Sequence, residues 1–175
     1  MNVKRIGLFV LLVSLVTGVV LAQSQTNYAL GGRGPGGGTI FHIGRHLGPL
    51  RFRGDFVYEC SRDLGEYNWH DAVNVARNYG GGGFSDWRLP NIQELQMINT
   101  NNRIVTHNWQ PLLRPNTGYW SSTEIDSDFS RELERLGYEK NPLAYSIFTG
   151  NSNDFESIKS ETPSNVVAVR SFQIQ

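Results

Sequence analysis

The segment from Asn68 to Leu95 constrains the fold more than any other part of this chain. Trp69, Ala72, Val73, Ala76 and Tyr79 recur at i, i+3, i+4, i+7 and i+10, which is one apolar stripe on an α-helix, while His70, Asp71, Asn74 and Arg77 take the other side. Asn68 is placed to accept from an orphan amide of the first turn, and Gly80 supplies a left-handed exit. A glycine loop follows, then Trp87-Arg88-Leu89-Pro90 and a second helical pattern in which Ile92, Leu95 and Ile98 face inward. Asn91 and Glu94 stand at capping-box spacing. Arg88 sits between two large apolar residues and so needs a partner; Glu94 and Asp86 are the two candidates for a bidentate pair. Trp69, Trp87, Arg88, Leu89, Pro90 and Glu94 are therefore read as a structural motif, a corner that ties loop to helix, rather than as ligand contacts.

Strand signals flank the helices. Thr39–Ile43, Phe56–Glu59, Tyr119–Thr123, Leu143–Phe148 and Val166–Phe172 are short apolar or β-branched runs bounded by turn residues. Glu124–Asn141 reads as a charged surface excursion with a helical turn around Arg131–Leu136, and Thr149–Pro163 as a polar loop. Strands, two helices, then strands again describe an α+β domain, and the strand at Ile40 is expected to lie near the strand at Val169.

The first residues speak to the compartment. Lys4 and Arg5 precede an uncharged apolar run from Ile6 to Leu21 that exits through Val20-Leu21-Ala22, the pattern of a secretory signal peptide spanning 1–22. The run falls somewhat short of the roughly 20 residues that an anchor helix wants. Residues 23–30 then form a flexible leader and 31–175 one domain, exported to the periplasm, the cell surface or the medium. Without the signal the chain is slightly acidic, which gives no support to nucleic-acid binding. Cys60 is the only cysteine, so the domain holds together without an internal disulfide, and it is read as a buried small hydrophobe.

Trp69-x-x-Ala72 with Phe84-Ser85-Asp86-Trp87-Arg88-Leu89-Pro90-x-x-x-Glu94-Leu95 carries a wider resemblance, joined by Gly34–Phe41, Tyr119-Trp120-Ser121-Ser122-Thr123-Glu124 and Val169-Arg170. Together these motifs resemble the C-terminal domain family of the Legionella collagen-like adhesin. The resemblance implies a C-type-lectin-like fold, with two helices packed on a small, mostly antiparallel sheet and long loops forming one face. It also implies an exported bacterial binding protein, since the named adhesin domain binds sulfated glycosaminoglycans. The sulfatase-modifying enzymes show a similar Arg-Leu-Pro-x-x-x-Glu segment on the same kind of fold. They work through cysteines, however, and Cys60 lies outside any matching motif.

Catalysis finds little support in the residues themselves. No serine stands in a Gly-x-Ser-x-Gly context, and Asp126, Asp128, Glu132 and Glu134 belong to a solvated stretch with nothing apolar to shift them. The glycine cluster Gly31–Gly38 precedes a strand and lacks the lysine of a phosphate loop, so it is read as a structural turn. His42 and His46 are interrupted by Gly44, and Asn151, Asn153 and Asp154 supply too few oxygens and too little charge for calcium; no cofactor is expected. Binding is the favoured chemistry, with an extracellular glycan or glycoconjugate as ligand. Trp109, Arg114, Asn116, Tyr119 and Trp120 are the candidate ligand-binding residues, as aromatic faces and polar groups in the loop region. One of Tyr119 and Trp120 is expected to face the core, because strand neighbours point to opposite sides. Arg45, Arg51, Arg53, Arg103 and Arg114 are available to form a basic patch for sulfated sugars. The alternative is a protein-interaction or assembly module of the cell envelope.

Overall fold

The computed structural model describes residues 27–47, 54–102, 111–149 and 154–174. The signal segment, residues 23–26 of the leader, Trp109, and Arg51, Arg53, Arg103, Asn151 and Asn153 lie outside the described residues.

The chain order is β1 (Thr39–Gly44), β2 (Phe56–Cys60), β3 (Glu66–Tyr67), α1 (Trp69–Arg77), α2 (Ile92–Asn101), β4 (Gly118–Glu124), α3 (Asp128–Arg135), β5 (Leu143–Phe148), β6 (Asp154–Ile158), β7 (Ser164–Asn165) and β8 (Val169–Gln173). The α+β class holds, with the strands divided between two sheets: β1-β2-β8 and β3-β7-β4-β5-β6. All pairings are antiparallel except β4 with β7. The strands at Ile40 and Val169 do share a sheet, but β2 lies between them, with Cys60 paired to Thr39 on one side and to Val169 on the other.

The helices start where their caps dictate. Asn68 accepts from the Asp71 amide at 2.9 Å. Asn91 and Glu94 form a reciprocal capping box, satisfying two amides that a helix start would otherwise leave bare. The first helix stops at Arg77, two residues before the apolar stripe ends. Tyr79 still packs inward, edge-on to Trp87 at 4.8 Å, and Gly80 follows in the left-handed conformation.

Strand β4 divides the core. Tyr119 packs with Leu95 and Ile98 of α2, while its neighbour Trp120 packs with Ala72 and Ala76 of α1. The two helices therefore cover opposite faces of one sheet, and strand alternation sends each aromatic side chain under a different helix. Both side chains are fully buried, which corrects the expectation that only one would be.

Two further expectations change. The polar stretch before Pro163 contains a strand, β6, which forms a hairpin ladder with β5 from Leu143↔Ile158 to Ile147↔Asp154. Its backbone pairs although its side chains are mostly exposed, so its composition resembles that of a loop. The charged excursion folds as a two-turn helix, α3, capped by the Ser127 hydroxyl. Ile125, Leu133 and Leu143 form a small cluster of their own there.

Candidate functional site

The corner is built around Arg88. Its guanidinium donates to both oxygens of Glu94, at 2.7 and 2.6 Å, so Glu94 is the partner that the sequence left open. Glu94 is wholly buried and also accepts from the Asn91 amide at 2.9 Å. The hydrogen bonds to Glu94 hold Arg88 more firmly protonated than usual, against the opposing pull of burial. The Arg88 backbone exchanges both of its hydrogen bonds with Val169, which stitches the corner to β8. Trp87 and Leu89 are buried on either side.

Asp86 has a different partner. It accepts from Nε of Arg170 at 2.7 Å, while Nη1 of Arg170 reaches the buried carboxylate of Glu59, also at 2.7 Å. Burial alone would lower the affinity of this guanidinium for its proton, but the bonds to Asp86 and Glu59 outweigh it. The Arg170 guanidinium lies 3.8 Å from the Phe84 ring centre, a cation–π contact. Glu59 also accepts from the amides of Gly36 (2.9 Å) and Gly38 (3.0 Å). The glycine cluster is thus folded over a buried carboxylate, and its composition follows from the crowding. A Cβ on Gly36 would stand 2.6 Å from Trp87 and 2.7 Å from Glu59.

Above this lock lies a cleft of about 750 Å³, lined by Gly37, Gly38, Thr39, Cys60, Arg62, Asp63, Tyr79, Pro111, Leu112, Arg114 and Pro115. Arg114 projects from a backbone held on both sides. Its amide donates to the Tyr119 hydroxyl at 3.0 Å, and its carbonyl accepts from the Thr149 hydroxyl at 2.5 Å. Next to it, the Asn102 side-chain amide bonds both backbone groups of Leu113 at 2.9 Å. The Arg114 side chain is 65% exposed, with Nε 3.3 Å from Asp63. Asp63 is already well satisfied: it accepts from the Gly65 amide (2.8 Å), the Tyr119 hydroxyl (2.6 Å) and the Asn165 amide (2.8 Å). Burial, followed by the bond to Asp63, raises the Tyr119 phenol well above its ordinary range. Arg62 is exposed and makes no ion pair among the described residues. The cleft therefore presents two exposed arginines, of which Arg114 pairs with Asp63, a carboxylate that also accepts from three other donors.

Of the candidate binding residues, Arg114 lines the cleft. Tyr119 lies beneath it and positions Arg114 and Asp63 without facing solvent. Trp120 is remote, donating to the Tyr67 carbonyl at 3.0 Å under α1. Asn116 is exposed in a left-handed turn just beyond Pro115 and does not line the cleft. Arg45 is exposed at the end of β1, also outside the lining. Arg62 and Asp63 were missed in the sequence, although their place directly after a buried strand is where a scaffold hands over to a loop. His42 bonds the Arg45 carbonyl at 3.0 Å, and His46 stacks edge-on to Phe56. Among the described residues no group of three or more His, Cys, Asp or Glu side chains is arranged to hold a metal ion. Cys60 is buried, and burial raises its thiol far above the usual range.

The same order of elements, from β2 through the corner to Arg170, matches the profile of the Lcl C-terminal domain over residues 57–170. The chain belongs to the Lcl C-terminal domain family. Membership makes it an adhesin-like bacterial domain, and the family is one of exported proteins. The profile takes in the capped helix pair, the Arg88–Glu94 corner, and Arg62, Asp63 and Arg114 of the cleft. No match was found among curated proteins. Among the described residues no helix is long and apolar enough to cross a membrane.

Proposed function

We propose that this Lcl C-terminal domain is a non-catalytic, exported binding module that recognises an extracellular acidic glycan or glycoconjugate in the cleft at Arg62 and Arg114. The observation that carries the reading is Arg114, whose backbone is held by Tyr119 and Thr149 while its guanidinium, paired to Asp63, stays 65% exposed in the cleft that Arg62 also lines. Pre-set cationic groups recognise sulfate or carboxylate at low conformational cost. A helix on each face of the larger sheet supports the C-type-lectin-like description. A buried thiol held in its protonated form is a poor nucleophile, which supports a binding role over thiol chemistry.

The test is binding of a heparin-derived hexasaccharide to the mature chain, followed by calorimetry at low and physiological salt. Arg114→Ala and Arg62→Ala should each weaken binding about tenfold, equivalent to losing ~1.4 kcal/mol of charge-assisted contact. Chelation of calcium should leave the affinity unchanged. Failure to bind any acidic glycan at low salt, or unchanged affinity in the double variant, would remove the proposal.

A further inference from the structure

We propose a second binding surface, independent of the cleft: the open edge of the larger sheet at β6 takes up an extended segment of a partner protein in which basic and apolar residues alternate. β6 is the last strand of its sheet, and Asp154, Phe155 and Glu156 are exposed. Beside it runs a groove of about 650 Å³, lined in part by Gly118, Ser146, Phe148, Phe155, Ser157 and Ser164. Phe148 and Phe155 are 38% and 42% exposed, which is unusual for two phenylalanines on neighbouring strands.

The register says how such a segment would sit. The Lys159 amide donates inward to Pro142, so by alternation the amides of Phe155 and Ser157 also point to β5, and those of Asp154 and Glu156 point out. Among the described residues the outward ladder groups of Asp154 and Glu156 have no strand partner, so a strand added antiparallel would pair there. The Ile158 carbonyl is already taken by the turn to Glu161 and Thr162. Side chains alternate too. Phe155 and Ser157 share a face with Ser146, whose hydroxyl lies 3.0 Å from that of Ser157, while Asp154 and Glu156 share the other. Residues of the incoming strand that fall beside Phe155 should therefore be apolar, and the one opposite Glu156 basic.

Charge also selects the partner. Glu156 is the one charged residue lining the groove among the described residues. Among the described residues the Asp154 carboxylate receives one donor, the neutral side-chain amide of Gln96, at 2.7 Å. A second copy of this chain is a poor occupant, because antiparallel pairing about Glu156 would set two glutamates opposite each other. Exposed edges are commonly blunted by charge, and here the charge is of one sign and stands beside aromatic surface. That combination suits strand addition by a basic–apolar segment.

The experiment uses the mature chain and a labelled, end-blocked peptide of alternating lysine and valine, seven residues long, read by fluorescence anisotropy and amide exchange. It should bind with a Kd on the order of 100 μM, and peptides alternating glutamate with valine or lysine with serine at least about tenfold more weakly. Phe155→Ser and Glu156→Lys, both at exposed positions, should each reduce affinity about tenfold. Bound peptide should slow exchange of the Glu156 amide and leave Asp63 and Gly37 in the cleft unchanged. The proposal is overturned if the lysine–valine peptide does not bind, if both variants bind it as well as the parent, or if protection appears in the cleft instead. It is also overturned if light scattering shows a dimer that Phe155→Ser dissolves, which would assign the edge to a second copy.

Discussion

Replacing Arg88 by Met should damage this domain far more than replacing its partner Glu94 by Gln. The two groups are not equally placed: the Glu94 side chain has no exposure and the Arg88 side chain has 43%. Arg88→Met keeps the backbone pairing to Val169 but leaves the Glu94 carboxylate buried with the Asn91 amide as its remaining donor. Stranding a buried charge costs about 3 to 5 kcal/mol. Glu94→Gln keeps an acceptor for the Asn91 amide and one bond to Arg88, and the freed guanidinium can turn to water, so its cost should be about 1 kcal/mol. For a domain of this size the urea dependence is roughly 2 kcal/mol per molar, so the midpoints should fall by about 2 M and about 0.5 M. Tryptophan emission reads the transition directly, since Trp87 and Trp120 are fully buried. The Arg88→Met deficit should also shrink in acid, because protonating the stranded carboxylate removes the buried charge. A deficit below about 1.5 kcal/mol, or one no larger than that of Glu94→Gln, would refute the reasoning.

Three other outcomes follow from the packing. Gly36→Ala should cost about 2 to 3 kcal/mol by driving a methyl group into Trp87 and Glu59, while Gly83→Ala, with open space around it, should cost about 1 kcal/mol through its positive φ alone; chemical denaturation compares them. Glu124→Ala should destabilise by about 2 kcal/mol more than Lys159→Met, because the first strands a lysine that is 2% exposed and 2.6 Å from that carboxylate, whereas the second removes the buried charge. Burial raises the Tyr58 and Tyr119 phenols and the Cys60 thiol. The unfolded chain therefore releases protons first, so stability should be flat at neutral pH and fall once the medium rises past about 8.5 for the thiol and about 10 for the phenols. Thermal melts across that range, with phenolate absorbance as a second signal, check this; early ionisation of all tyrosines in the folded state would contradict it.

What the sequence made legible was whatever repeats at helix or strand spacing and ends in a recognisable cap. The stripe from Trp69 and the pair Asn91 and Glu94 located both helices, because their side chains answer backbone groups a few residues away. The partners of Arg88 and Asp86 were harder to separate. Glu94 lies six residues on and was a candidate, but Asp86 is claimed by Arg170, which is 84 positions distant and invisible to local pattern. β6 was read as loop because an edge strand can keep polar side chains on a paired backbone. The burial of both Tyr119 and Trp120 required knowing that helices cover both faces of β4, a tertiary fact. For the same reason the cleft escaped: Arg62, Asp63 and Arg114 meet only because Tyr119 and Asn165 hold the loops together.

The central claim is that a locked corner carries a pre-set, arginine-lined cleft where ligand is met. Amide chemical-shift mapping of residues 23–175, titrated with heparin-derived hexasaccharide, tests it most directly. The account predicts shifts concentrated at Gly37, Gly38, Arg62, Asp63 and Arg114, with the amides of Asn91, Glu94 and Leu95 unmoved. Shifts spread along α2, or confined to surfaces remote from Arg62 and Arg114, would contradict it.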